Sequence, residues 1–130
     1  MPALRPAALL VTHGALGREL LGTVERILGA QDQAVVVSNE GRSAEGLTEA
    51  LDEAIASFAP GQSVVIFSDL AAGSCGLAAR RASADGRPVR RITGVNLPML
   101  LEFFHYRDAV PLDDLLPRME AKGRAGIVAS

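Results

Sequence analysis

Ala7-Ala8-Leu9-Leu10-Val11, running into Thr12-His13-Gly14, is the stretch on which the fold turns. An unbroken apolar run leaves no polar face, so a strand here is buried on both sides. Strands of that kind belong to parallel sheets, whose crossover connections are helices packed on the two faces. The rest of the chain supplies the alternation. Leu16, Leu20, Leu21, Val24, Ile27 and Leu28 recur at helical spacing, and Gly29 is a C-terminal stop. Ala34 to Val37 reads as a second strand. Ser43 caps a helix with the stripe Leu47, Leu51, Ala54, Ile55 and Phe58, closed by Pro60-Gly61. Val64 to Phe67 is the third strand, followed by a helix from Ser74 to Ala84 and a turn at Asp85-Gly86. Val89 to Val95 is the fourth, and Arg90 and Arg91 place it toward a sheet edge. Pro98 opens a helix carrying Met99, Leu100, Leu101, Phe103 and Phe104. The last helix starts near Pro111. Pro117 is expected to kink or shorten it, and Gly123 to stop it, before a short terminal strand at Ile127-Val128. The expectation is one α/β domain over residues 1–130. Its sheet is open and mostly parallel, of order 2-1-3-4, with helices on both faces and a short antiparallel C-terminal strand.

Composition sets the outer bounds. The chain has 130 residues, 48% hydrophobic and 22% charged, enough apolar material for a core and too much for disorder. A net charge of −2 gives no reason to expect nucleic acid or an anionic membrane surface. Arg80, Arg81, Arg87, Arg90 and Arg91 cluster in sequence. They read as a solvated helix end and strand edge, or as a docking surface for an acidic partner. A single cysteine, Cys75, excludes an intrachain disulfide and points to a reducing, cytoplasmic setting. No apolar run is long enough for a membrane span, and the N-terminal apolar stretch reads as a strand, not a signal peptide.

Ligands of an open parallel sheet sit outside the carboxyl ends of its strands, where the strand order reverses. That rule selects Thr12-His13-Gly14, Ser68-Asp69-Leu70 and Gly94-Val95-Asn96. With strands one and three adjacent, His13 and Asp69 face each other. A ring nitrogen donating to a carboxylate fixes the tautomer and leaves the other nitrogen as the nucleophile. Ala71-Ala72-Gly73-Ser74 then leads into a helix whose first N–H groups suit a phosphoryl group. Thr12, Gly73 and Ser74 are the candidate phosphoryl-binding residues. Asn96, Pro98 and Met99 are candidates for partner binding. Each has a plainer reading: Asp69, Ser74 and Asn96 as helix caps, and His13 as a histidine bonded to a neighbouring carbonyl. His105 and Cys75 read as structural. Gly14, Gly17 and Gly22 lack the spacing of a dinucleotide fingerprint.

Taken together, Val11-Thr12-His13-Gly14, Val65-Ile66-Phe67-Ser68-Asp69-Leu70 and Gly94-Val95-Asn96-Leu97-Pro98-Met99-Leu100-Leu101-Glu102 resemble the IIA domain of the mannose-type sugar phosphotransferase system. The resemblance implies that His13 accepts a phosphoryl group from HPr. From there the group passes to a IIB component serving a membrane sugar permease. By the same resemblance Asp69 orients the histidine and Ser74 lies beside the phosphoryl group. No metal or organic cofactor is implied. A homodimer exchanging the strand around Ala125 to Val128 is implied. One departure stands out. The family pattern Gly-Gly-Ser/Thr-Pro is Ala72-Gly73-Ser74-Cys75 here. Ala72 disfavours positive φ, and Cys75 lacks the preset φ of proline. Two other readings stay open: a regulatory module phosphorylated on His13, and the related phosphotransfer subunit of dihydroxyacetone kinase.

Overall fold

A computed structural model describes residues 4–82 and 86–130. The described residues form four strands and five helices, alternating as far as α4 and followed by α5: β1 (Ala7–Thr12), α1 (Leu16–Leu28), β2 (Ala34–Ser38), α2 (Ala44–Ser57), β3 (Val64–Ser68), α3 (Gly73–Arg81), β4 (Val89–Thr93), α4 (Leu97–Tyr106) and α5 (Leu112–Ala125). The sheet order is β2-β1-β3-β4, and every pairing is parallel. β1 and β3 are buried along their whole length because they lie in the middle with helices on both sides. β4 is an edge, as Arg90 and Arg91 require.

Alternate residues of β1 feed two cores. Ala7, Leu9 and Val11 join Val64 and Ile66 under α2 and α3, through Leu47, Leu51, Ile55, Cys75 and Ala78. Ala8 and Leu10 join Val65 and Phe67 under α1, α4 and α5, through Val24, Leu100, Phe103, Leu115 and Met119. Phe67 meets Phe103 edge to face at 5.3 Å, a geometry that adds about 1 kcal/mol beyond burial. At the amino ends of the strands the fully enclosed Arg107 guanidinium ties the layers together. It donates to the Asp32 carbonyl at 2.8 Å and to Gln31 Oε1 at 3.1 Å, and lies over the Phe104 ring. Burial, then the neighbouring Arg5 charge, pulls its pKa down to about 10.

Several expectations change in detail. α5 is neither shortened by Pro117 nor stopped by Gly123. Pro117 falls in its second turn, where the bond it deletes would run to the carbonyl of Asp113, an exposed residue of the first turn. Gly123 is buried inside the helix because a Cβ there would come within 2.9 Å of Met99 Cε. The terminal strand is absent from the single chain: residues 127–130 form no ladder, and Ile127 and Val128 are exposed. Among the described residues the sheet therefore has no antiparallel member. β4 ends at Thr93, two residues before the expected Val95, because Gly94 takes φ +74 and turns the chain. The α1 stripe is narrower than its spacing implies, with Leu16 and Ile27 exposed. α3 ends at Arg81; Ala84 and Asp85 lie outside the described residues.

The arginine cluster is largely used internally. Arg87 donates to the Ala59 carbonyl, Arg91 to the Ala79 and Ala82 carbonyls, and Arg90 pairs with Asp113. No helix among the described residues is long and apolar enough to cross a membrane.

Candidate functional site

Thr12 ends β1 and Ser68 ends β3, and the register sets Val11 opposite Ser68. Asp69 follows Ser68 directly and His13 lies two residues past Val11, so the two meet across the crevice just beyond the strand ends. The His13 backbone N–H donates to Asp69 Oδ2 at 2.9 Å, and His13 Nδ1 lies 2.9 Å from the same oxygen. Burial alone would raise the Asp69 carboxyl, but the His13 backbone and ring bonds and the ring's charge outweigh it and hold the pKa below 3.8. Asp69 is therefore an ionised carboxylate at neutral pH. A carboxylate only accepts, so Nδ1 carries a proton, and in the neutral ring the lone pair is then on Nε2. The His13 side chain is 42% exposed, against 10% for Asp69, which places the imidazole at the surface and the carboxylate beneath it.

The surrounding loops are fixed locally. Thr12 is fully buried, and its Oγ1 accepts the Gly17 N–H at 2.7 Å, anchoring the first turn of α1 beneath His13. Gly14 takes φ +57, and its N–H donates to Asn39 Oδ1 at 3.0 Å. Asn39 lies just past β2, and its own N–H donates to the Thr12 carbonyl. Sequence reasoning missed it. The rule that selected the ends of the other strands applies equally to β2, and would have found it.

After Asp69 the chain turns into α3. The expected difficulty at Ala72 does not arise, because Ala72 is extended at φ −107 and the positive φ of the loop, +79, falls on Gly73. The plain reading of Ser74 as the cap is incorrect. Ala72 holds the N-cap position without a side-chain bond, and Ser74 is exposed inside the first turn. The first-turn N–H groups are thus not consumed by a capping side chain. Arg80 reaches back to the Ala71 carbonyl at 2.6 Å and pins the loop. Cys75 is buried beneath it. Burial, then the Asp69 charge, raises its thiol pKa, with the Ser74 hydroxyl opposing.

The third segment serves packing. Asn96 Oδ1 accepts the Met99 N–H, capping α4, while Nδ2 donates to the Gly123 carbonyl at the end of α5. Met99 is buried, and Pro98 is half-buried, its Cγ 2.7 Å from where a Cβ on Gly126 would stand. The structure gives these residues to the α4–α5 contact. His105, expected to be structural, is exposed and meets the Tyr106 ring edge-on.

The sequence profile of EIIA-man, PTS system fructose IIA component, matches residues 7–120. The mannose-specific EIIAB component of the PTS from Escherichia coli (strain K12) is 34% identical over 125 residues, 95% of this chain. The chain spans only 39% of that relative's length. The phosphotransferase system component EIIA from Streptococcus agalactiae superposes with a TM-score of 0.86 at 24% identity, covering 95% of this chain and 96% of its own. The mannose/sorbose-specific IIA subunit from Enterococcus faecalis does so with a TM-score of 0.78 at 21% identity, over 98% and 96%. At those identities the structures bear on the fold alone, and it is the same fold. With 34% identity and a profile match from β1 into α5, this chain belongs to the EIIA-man family, the PTS fructose IIA components.

Proposed function

We propose that this chain is a phosphocarrier of a sugar phosphotransferase system that takes a phosphoryl group from HPr onto Nε2 of His13 and passes it to a IIB component. The observation that carries this is the single Asp69 oxygen bonded to both the backbone N–H and Nδ1 of His13. In the neutral ring it leaves the lone pair on Nε2, in a side chain that is 42% exposed. In the forward step the Nε2 lone pair forms the N–P bond as the donor's bond to phosphorus breaks. The Nδ1 proton stays in place, and the positive charge developing on the ring is met by the Asp69 carboxylate. No proton has to leave, so the reverse transfer onto the acceptor is equally direct. Gly73, Ser74 and the first N–H groups of α3 hold the phosphoryl oxygens. Thr12 acts from below by fixing the turn that carries His13. Docking of HPr and IIB uses the exposed rim around the ring, which includes Leu16 and Leu70. In a homodimer, the exposed Ile127 and Val128 add to the open edge of a partner's sheet. The permease lies beyond IIB, and the chain acts on the cytoplasmic side.

The reading specifies a nitrogen. Phosphoprotein carrying nitrogen-15 in its histidines, examined by phosphorus–nitrogen coupling, is expected to show phosphorus on Nε2 of His13. Phosphorus on Nδ1 would mean that Asp69 does not set the tautomer.

A further inference from the structure

We propose that His13, Asp69 and Cys75 form a three-ligand site for a thiolate-seeking divalent ion of the zinc class, and that the ion silences phosphoryl transfer by taking the imidazole. A nitrogen of His13, a carboxylate oxygen of Asp69 and Cys75 Sγ all lie within 4.8 Å of one another. Ligand atoms around a tetrahedral zinc stand roughly 3.3–3.8 Å apart, so side-chain rotation closes what remains.

Two further observations point to a cation. Asp69 Oδ1 is buried and has no hydrogen-bond partner, in a side chain only 10% exposed. Such an oxygen ordinarily has a partner, and a metal ion supplies one. Charge also balances: one carboxylate, one thiolate and a neutral imidazole offset a divalent ion. The donor set is selective, because a thiolate disfavours magnesium and calcium and favours zinc. The exposed edge of His13 provides the entry path and leaves a fourth position for water, as in an exchangeable site.

The consequence for phosphoryl transfer rests on the reading of His13 as the carrier. An ion on Nδ1 displaces the proton to Nε2 and removes the attacking lone pair. An ion on Nε2 occupies the lone pair itself. In both cases the thiol proton is released to solvent, and no oxidant or reductant takes part.

The metal-free 130-residue chain is titrated with zinc against a chromogenic chelator, and separately with cobalt. We expect one zinc per chain, about a hundredfold weaker in Cys75→Ser, and a thiolate-to-cobalt charge-transfer band in the wild type. Equal affinity in the two proteins, or a cobalt spectrum without that band, would overturn the site. The band is read on the wild type alone, so a poorly folded variant does not blunt the test. Zinc-loaded protein is expected to lose phosphoryl acceptance and regain it with chelator; unchanged acceptance would overturn the silencing. Failure of the metal-free protein to accept a phosphoryl group would instead sink the carrier reading, and the titration would still decide the metal site.

Discussion

Asp69→Asn is expected to slow phosphoryl acceptance by His13 roughly 10²- to 10⁴-fold while the chain stays folded. Two effects add. The amide is neutral, so it no longer meets the positive charge that develops on the ring. It also cannot satisfy both sides of its pocket. With its oxygen toward His13, the NH₂ takes the place of the buried, partnerless Oδ1 and becomes a buried orphan donor, costing about 1–3 kcal/mol. Flipped, the NH₂ faces the His13 backbone N–H and pushes the ring into the tautomer with hydrogen on Nε2. Rates from single-turnover transfer, with circular dichroism as the check on folding, read this directly. A loss below about tenfold would show that Asp69 is a bystander. The same substitution changes acid stability. The Asp69 pKa is lowered on folding, so its stabilisation is present above 3.8, the value before folding, and is lost as pH falls through the lower folded value. Asp69→Asn is expected to lack that component of the acid transition.

Gly76→Ala is expected to destabilise the fold by about 2–3 kcal/mol and to lower transfer roughly a hundredfold. In most helices this change gains about 0.5–1 kcal/mol. Here a Cβ would stand 2.4 Å from the Ala71 carbonyl oxygen and 2.7 Å from that of Leu70. These are backbone atoms of the loop between Asp69 and Gly73, so no side chain can swing aside. The loop must move, and with it the start of α3 proposed to hold the phosphoryl group. Gly22→Ala is the internal control, because a Cβ there meets nothing within 4 Å. Urea midpoints should move in opposite directions for the two variants. A stabilised Gly76→Ala would mean that the loop does not rest on the helix.

The central strands, their order and the pairing of His13 with Asp69 were legible because each depends on one strong signal. β1 and β3 are unbroken apolar runs, and the switch point follows from topology. Ser43 and Asn96 were readable as caps because a polar side chain just before an apolar helix has few other uses. What was not legible depends on contacts distant in sequence. Gly123 looks like a stop until Met99 is seen against it. Pro117 looks like a break until its lost partner proves to be at the solvent-exposed start of the helix. Asn39 carries no motif, and only its place just past β2, beside β1, marks it. The apolar Ile127-Val128 reads as a strand, yet a strand forms only by pairing with an edge, and in the single chain residues 127–130 pair with none. Cys75 looks like a small core residue, which it is. Only the fold reveals that it lies under Asp69.

The most direct measurement of the central claim is intact mass after incubation with phosphoenolpyruvate, Enzyme I and HPr, for the wild type and His13→Ala side by side. The expected result is an acid-labile gain of one phosphoryl group in the wild type and none in the variant. The same gain in His13→Ala, or none in a folded wild type with an active donor, would contradict it.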